Sequence, residues 1–167
     1  MEEIKNKIEF YWDEINETYI TTLKLDDNIA RIYFSRNFGS IKKENYLGWI
    51  WNMGLAIGRK KALNNWYYGL APSPISNLPT YNKYGIKVMI WAKNVLKAFI
   101  EEKQSWGTRC AIAIGAEDKR RWRVYQSYLG KIGFKPRTVK YGYNYDFRYE
   151  YEGDNDFIYY KELVRII

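Results

Sequence analysis

Six consecutive residues, Asn82-Lys83-Tyr84-Gly85-Ile86-Lys87, carry the chemistry of an anion-holding loop. Gly85 has no Cβ, so backbone there can approach a diphosphate closely. Lys83 and Lys87 would add charge-assisted contacts to phosphate oxygens. An amphipathic helix is expected directly after Gly85. A helix start gathers free N–H groups and the positive end of the helix dipole. Lys87 falls in the first helical turn, where a cation is disfavoured by roughly 0.3–1 kcal/mol unless an anion compensates. The bland alternative is a loop glycine flanked by solvated lysines.

A second group of interest is Tyr125 and Tyr128. The chain has no histidine. Ser-His triads, histidine acid–base catalysts and histidine-bearing metal sites are therefore excluded, and no metal site is read. Proton transfer falls to Tyr, Lys, Asp, Glu, Cys110 or the backbone. Tyr125 lies at helical spacing with Trp122, Leu129 and Ile132, a pattern that equally suits a core helix. No carboxylate stands out as a general base. Glu117 and Asp118 read as a helix-start signal.

These residues need elements to hold them. Ile4, Ile8, Tyr11, Trp12 and Ile15 are spaced for a helix over 4–15. Tyr19–Leu25 and Ile29–Ser35 read as a hairpin around Asp26-Asp27-Asn28. Lys42–Asn65 reads as a helix followed by a strand, and Trp66–Leu70 as a short strand. Pro72, Pro74 and Pro79 make Ala71–Thr80 a loop. Val88, Ala92, Val95 and Phe99 line one face of the helix after Gly85, with Met89 and Leu96 beside them. Cys110–Ile114 is a continuous small apolar run, as in a strand covered on both faces. From Val139 to Tyr151 apolar and polar residues alternate, which predicts a half-buried strand. Glu152-Gly153-Asp154-Asn155 turns it into a last strand, Phe157–Leu163. The fold class is therefore α/β, an α+β mixed sheet flanked by helices, in a single domain over 1–167.

The stretch Leu78–Arg137 resembles the GCN5-related N-acetyltransferase (GNAT) family. Its loop pattern, Q/R-x-x-G-x-G/A, aligns with Asn82–Lys87. Gly85 takes the central glycine, Asn82 stands for Gln or Arg, and Lys87 stands for the final Gly or Ala. The family's Tyr-x-x-x-Gly-Phe signature aligns Gly133-Phe134, with Leu129 in the tyrosine slot and Tyr128 and Tyr125 nearby. The resemblance implies a sheet that binds acetyl-CoA as co-substrate between two splayed central strands. It implies the diphosphate on Asn82, Lys83, Tyr84, Gly85, Ile86 and Lys87. It also implies a tyrosine, Tyr128 or Tyr125, that protonates the departing CoA thiolate. The implied activity is acetyl transfer to an amine acceptor on a protein, an RNA-linked group or a small molecule, with Tyr67 and Tyr68 on the acceptor side.

Composition bounds the partners. A formal net charge of +8 favours an anionic partner, polyphosphate or nucleic acid. Aromatics make up 19 % of the chain, so the tyrosines of 141–151 suit either base stacking or a packed cross-strand face. Lys119-Arg120-Arg121-Trp122-Arg123 is the densest basic cluster. A catalytically silent GNAT-like binding or structural protein and a nucleic-acid module are the alternatives to an enzyme. The lone Cys110 and the acidic Glu2-Glu3 start lead to an expectation of a cytoplasmic protein without a leader or membrane span. Surface aromatics would suit a homodimer face.

Overall fold

The computed structural model describes residues 8–70, 81–115, 119–142 and 159–167. The elements are β1 (Tyr11–Asp13), β2 (Thr18–Lys24), β3 (Ile29–Ile41), a 3-10 turn (Lys42–Glu44), β4 (Tyr46–Gly58), α1 (Lys60–Tyr67), α2 (Tyr81–Ser105), β5 (Ala111–Ile114), α3 (Lys119–Gly130), β6 (Lys135–Tyr141) and β7 (Tyr159–Ile166). The strands form one mixed sheet in the order β1-β2-β3-β4-β5-β7-β6. The α/β class follows from this. The chain divides into two compact units, Met1–Tyr33 with Leu55–Ser105, and Phe34–Gly54 with Trp106–Ile167.

In the second unit β5 runs parallel to β4, with Ile50 opposite Ala111 and Asn52 opposite Ala113. On its other side β5 is antiparallel to β7, and β7 to β6. All four β5 residues are buried, as its apolar run predicts. β6 then pairs back onto β3, Gly39 opposite Tyr141 and Ser40 opposite Lys140. The strands β3-β4-β5-β7-β6 thus close into a ring. Closure depends on Gly39, because a Cβ there would stand 2.6 Å from the Lys140 carbonyl oxygen. Ile41, Tyr46, Ile50, Ala111, Ala113, Val139 and Val164 fill its interior. α3 exits through Gly133 at φ +91°, where a side chain would be strained, and Phe134 is buried.

In the first unit α2 buries Val88, Val95, Leu96 and Phe99, the face expected from its spacing. Val88 packs with Leu25 and Ala30, and Leu63 of α1 with Tyr33 and Ala56. The β2–β3 hairpin forms as read, its turn closed by Leu25 N–H donating to the Asn28 carbonyl.

Four local expectations are corrected. Over the described part of 4–15 there is no helix but β1 and a turn, while Ile4 lies outside the described residues. The Asp13 carboxylate accepts from the backbone N–H of Ile15 and Asn16, which holds a turn. Phe10 and Trp12, two apart, both meet Tyr19, so a strand period wins over the helical one. In 42–65 the order is reversed. A 13-residue strand, β4, precedes the helix α1. Asn45, at φ +48°, makes the left-handed turn that sends the chain back along β3. Trp66 and Tyr67 end α1 instead of forming a strand, and Gly69 follows at φ +76°. Finally, α2 begins at Tyr81, before Gly85. The expected loop 71–80, Glu117-Asp118 and the alternating residues from Tyr143 to Tyr151 lie outside the described residues.

Candidate active site

Inside the closed ring, beside Ala111 and Ala113 of β5, polar groups from the other strands meet. Strand alternation puts Asn52 on the face of Ile50, Tyr141 on the face of Val139, and Glu162 on the face of Val164. Each is a polar residue at a core-facing position. Asn37 Nδ2 on β3 donates to Asn52 Oδ1 on β4 at 2.7 Å. Asn52 Nδ2 donates to the Tyr141 hydroxyl on β6 at 2.5 Å. The Tyr141 hydroxyl donates in turn to Glu162 Oε2 on β7. Asn52 Nδ2 also lies 3.5 Å from Glu162 Oε1. Every donor in this chain points toward the carboxylate, so the bonds polarise one another in one sense.

The chain runs from the exposed Asn37 to Glu162, which is 9 % exposed. Burial pushes the Glu162 carboxyl above the usual carboxylate range, while its bonds from Tyr141 and Asn52 pull the other way. An acid held this way keeps its proton to a higher pH than an exposed glutamate does. Gly115 lies against Glu162: a Cβ there would stand 3.5 Å from Oε1, in ordinary contact.

The residues singled out from sequence are distributed as follows. Asn82, Lys83, Tyr84, Gly85, Ile86 and Lys87 occupy the first turns of α2, in the first unit. In a helix that starts at Tyr81, the N–H of Gly85 is committed to the Tyr81 carbonyl. Only the amides before Gly85 remain for an anion. Nothing lies within 4 Å of a Cβ built on Gly85, and Ile86 and Lys87 are exposed. Tyr125 and Tyr128 are half-buried on α3, in the second unit. Tyr67 is engaged: its hydroxyl donates to Asp13 Oδ2 at 2.6 Å, and burial followed by that carboxylate pushes its pKa up to about 12.

Glu162, Tyr141, Asn52 and Asn37 were not singled out from the sequence. Glu162 sits at core parity with Val164, and Asn52 interrupts an apolar strand. Those polar residues on an inward face were the available signal. Among the described residues no group of three His, Cys, Asp or Glu side chains is placed to hold a metal ion, and no helix is long and apolar enough to cross a membrane. The chain matches no family model, no curated protein and no solved structure.

Proposed function

We propose that the protein is a cytoplasmic acyl-CoA-dependent N-acetyltransferase whose general base is Glu162. One observation carries the reading: a buried carboxyl with a raised pKa, held by Tyr141 and Asn52, beside a parallel strand pair in an otherwise antiparallel ring. The order of elements from α2 through Gly133-Phe134 to the β6–β7 pair supports it, on the resemblance to GNAT proteins. In this scheme the Glu162 carboxylate takes a proton from an acceptor ammonium. The freed amine attacks the thioester carbonyl carbon, a C–N bond forms and the C–S bond breaks. The CoA thiolate leaves and takes a proton from Tyr128 or Tyr125, the role implied by the resemblance, and the second proton shed by the acylated nitrogen restores that tyrosine through solvent. General base help of this kind is worth roughly 10²–10⁴-fold.

An amine screen with acetyl-CoA, read as released thiol, tests the reading. Turnover by the unmutated chain that falls about 100-fold or more in Glu162→Gln, with acetyl-CoA affinity retained, supports it. Equal turnover in both proteins rejects Glu162 as the base. A non-enzymatic GNAT-like protein is the second reading. It is favoured by the committed amide of Gly85 and by Lys87 in a slot that takes Gly or Ala in the family.

A further inference from the structure

The direction of the hydrogen bonds to Glu162 is set at the exposed end of the chain. Asn37 Nδ2 faces two acceptors, the Ser35 carbonyl oxygen at 3.4 Å and Asn52 Oδ1 at 2.7 Å. The Ser35 oxygen belongs to the backbone and can only accept. The Asn37 carboxamide therefore turns its NH2 end inward, because its own Oδ1 would meet oxygen there. That choice decides the next group. With Oδ1 taken by Asn37, Asn52 offers Nδ2 to Tyr141. A phenol oxygen that accepts from Asn52 has its one proton left to donate, and Glu162 Oε2 receives it. One backbone carbonyl thus orients three side chains on β3, β4 and β6.

The opposite orientation is equally self-consistent. An acceptor in place of the Asn37 amide would draw Asn52 Nδ2 toward itself and turn Asn52 Oδ1 to Tyr141. The Tyr141 hydroxyl would then donate to Asn52, and Glu162 Oε2 would lose its donor. The orientation that exists favours the ionised carboxylate, since its protons point at it; the reverse favours the protonated acid. The Asn52 amide is therefore a two-position element, and Asn37 selects the position.

Other ionisable groups on the inner faces of the neighbouring strands are Lys135 and Arg137 of β6 and Tyr46 of β4. Lys135 is exposed, Arg137 has its guanidinium on Glu44, and the Tyr46 hydroxyl donates to the Trp49 carbonyl. β5 brings Ala111 and Ala113 to that face. Among the described residues, Tyr141 and Asn52 are the donors that reach the Glu162 carboxylate.

We infer that Asn37 is a positioning residue that acts through Asn52 and Tyr141 to set, from the protein surface, how tightly Glu162 holds its proton. The inference deepens the acetyl-transfer reading and rests on it for the consequence in catalysis: Asn37 would set the strength of the base. The hydrogen bonds themselves do not depend on that reading.

Carboxyl NMR titration of Glu162 in the full chain tests this without any turnover. Asn37→Asp changes one exposed group from donor to acceptor. It should raise the proton affinity of Glu162 roughly tenfold, the loss of one hydrogen bond to a charged group. Asn37→Ala removes the anchor without adding charge and should shift the midpoint the same way by less. In a Tyr141→Phe background the effect of Asn37→Asp should fall by more than half, because the hydroxyl that carries it is gone. A Glu162 midpoint unmoved by both Asn37 variants would overturn the inference. So would an equal shift with and without the Tyr141 hydroxyl, which would mark a direct effect of the new charge. The predicted shifts in a chain that acetylates no amine would uphold the relay and reject the transferase; turnover with an unmoved midpoint would do the reverse.

Discussion

Gly39→Ala is the sharpest test of the closed ring. The added Cβ would lie 2.6 Å from the Lys140 carbonyl oxygen, 3.0 Å from Ile50 Cδ1 and 3.2 Å from Tyr141 Cδ1. A carbon and an oxygen in favourable contact sit about 3.3–3.6 Å apart, so the strands must part by roughly 0.8 Å. The Ile50 methyl can rotate. The Lys140 oxygen cannot, because β6 is pinned by β7 along Lys135–Lys140. Overpacking of a fixed neighbour costs about 1–3 kcal/mol, and a backbone neighbour belongs at the upper end. For a chain of this size about 3 kcal/mol lowers Tm by roughly 6–12 °C. Gly54→Ala is the control, since nothing lies within 4 Å of its Cβ. It should change stability by less than about 0.5 kcal/mol. Urea titrations of both variants decide the matter. If Gly39→Ala unfolded within 0.5 kcal/mol of the unmutated protein, β6 would not approach β3 as described, and the alignment of Tyr141 with Glu162 would lose its basis.

Other expectations follow from the titrating groups. The Glu162 carboxyl is raised above its ordinary 4.5, so the folded protein keeps this proton after the unfolded chain has lost it. Stability therefore falls as pH rises from 4.5 toward the folded-state value, and Glu162→Gln should remove that part of the slope in urea titrations at several pH values. The Asp13 carboxyl is held below 3.8 mainly by the Tyr67 hydroxyl, with Asn16 next, so its contribution is present above the ordinary value and fades as pH drops through the lowered one. Tyr67→Phe should let Asp13 titrate closer to 3.8 by carboxyl NMR, at a cost of about 0.5–1.5 kcal/mol in stability. An unmoved Asp13 titration would show that the hydroxyl does not hold that carboxylate.

The sequence was legible where a local pattern had one dominant cause. Ala111–Ile114 is apolar throughout and is a fully buried strand between two others. The spacing of Val88, Val95 and Phe99 marks the buried face of α2. It failed where a partner distant in sequence decides. Tyr11–Asp13 is a strand because Tyr19 and Ile20 pair with it, which no window over 4–15 contains. The stretch 42–65, read as a helix followed by a strand, opens instead with one continuous strand that contains Gly48 and Gly54. Gly39 lies beyond the strand read over Ile29–Ser35, and its role appears only when β6 lies against it, a hundred residues later in the chain. The polar cluster was hidden for the same reason. Asn37, Asn52, Tyr141 and Glu162 come from four strands, and only the ring makes them neighbours.

Calorimetric titration of acetyl-CoA into the full chain addresses acyl transfer most directly. Saturable binding at one site per chain, weakened by Gly85→Asp and preserved in Glu162→Gln, is the predicted result. The aspartate would set a negative charge beside the amides that face the diphosphate, whereas the glutamine alters only the proton acceptor. No heat of binding at millimolar acetyl-CoA would contradict the account and leave Glu162 as the buried acid of a protein that does something else.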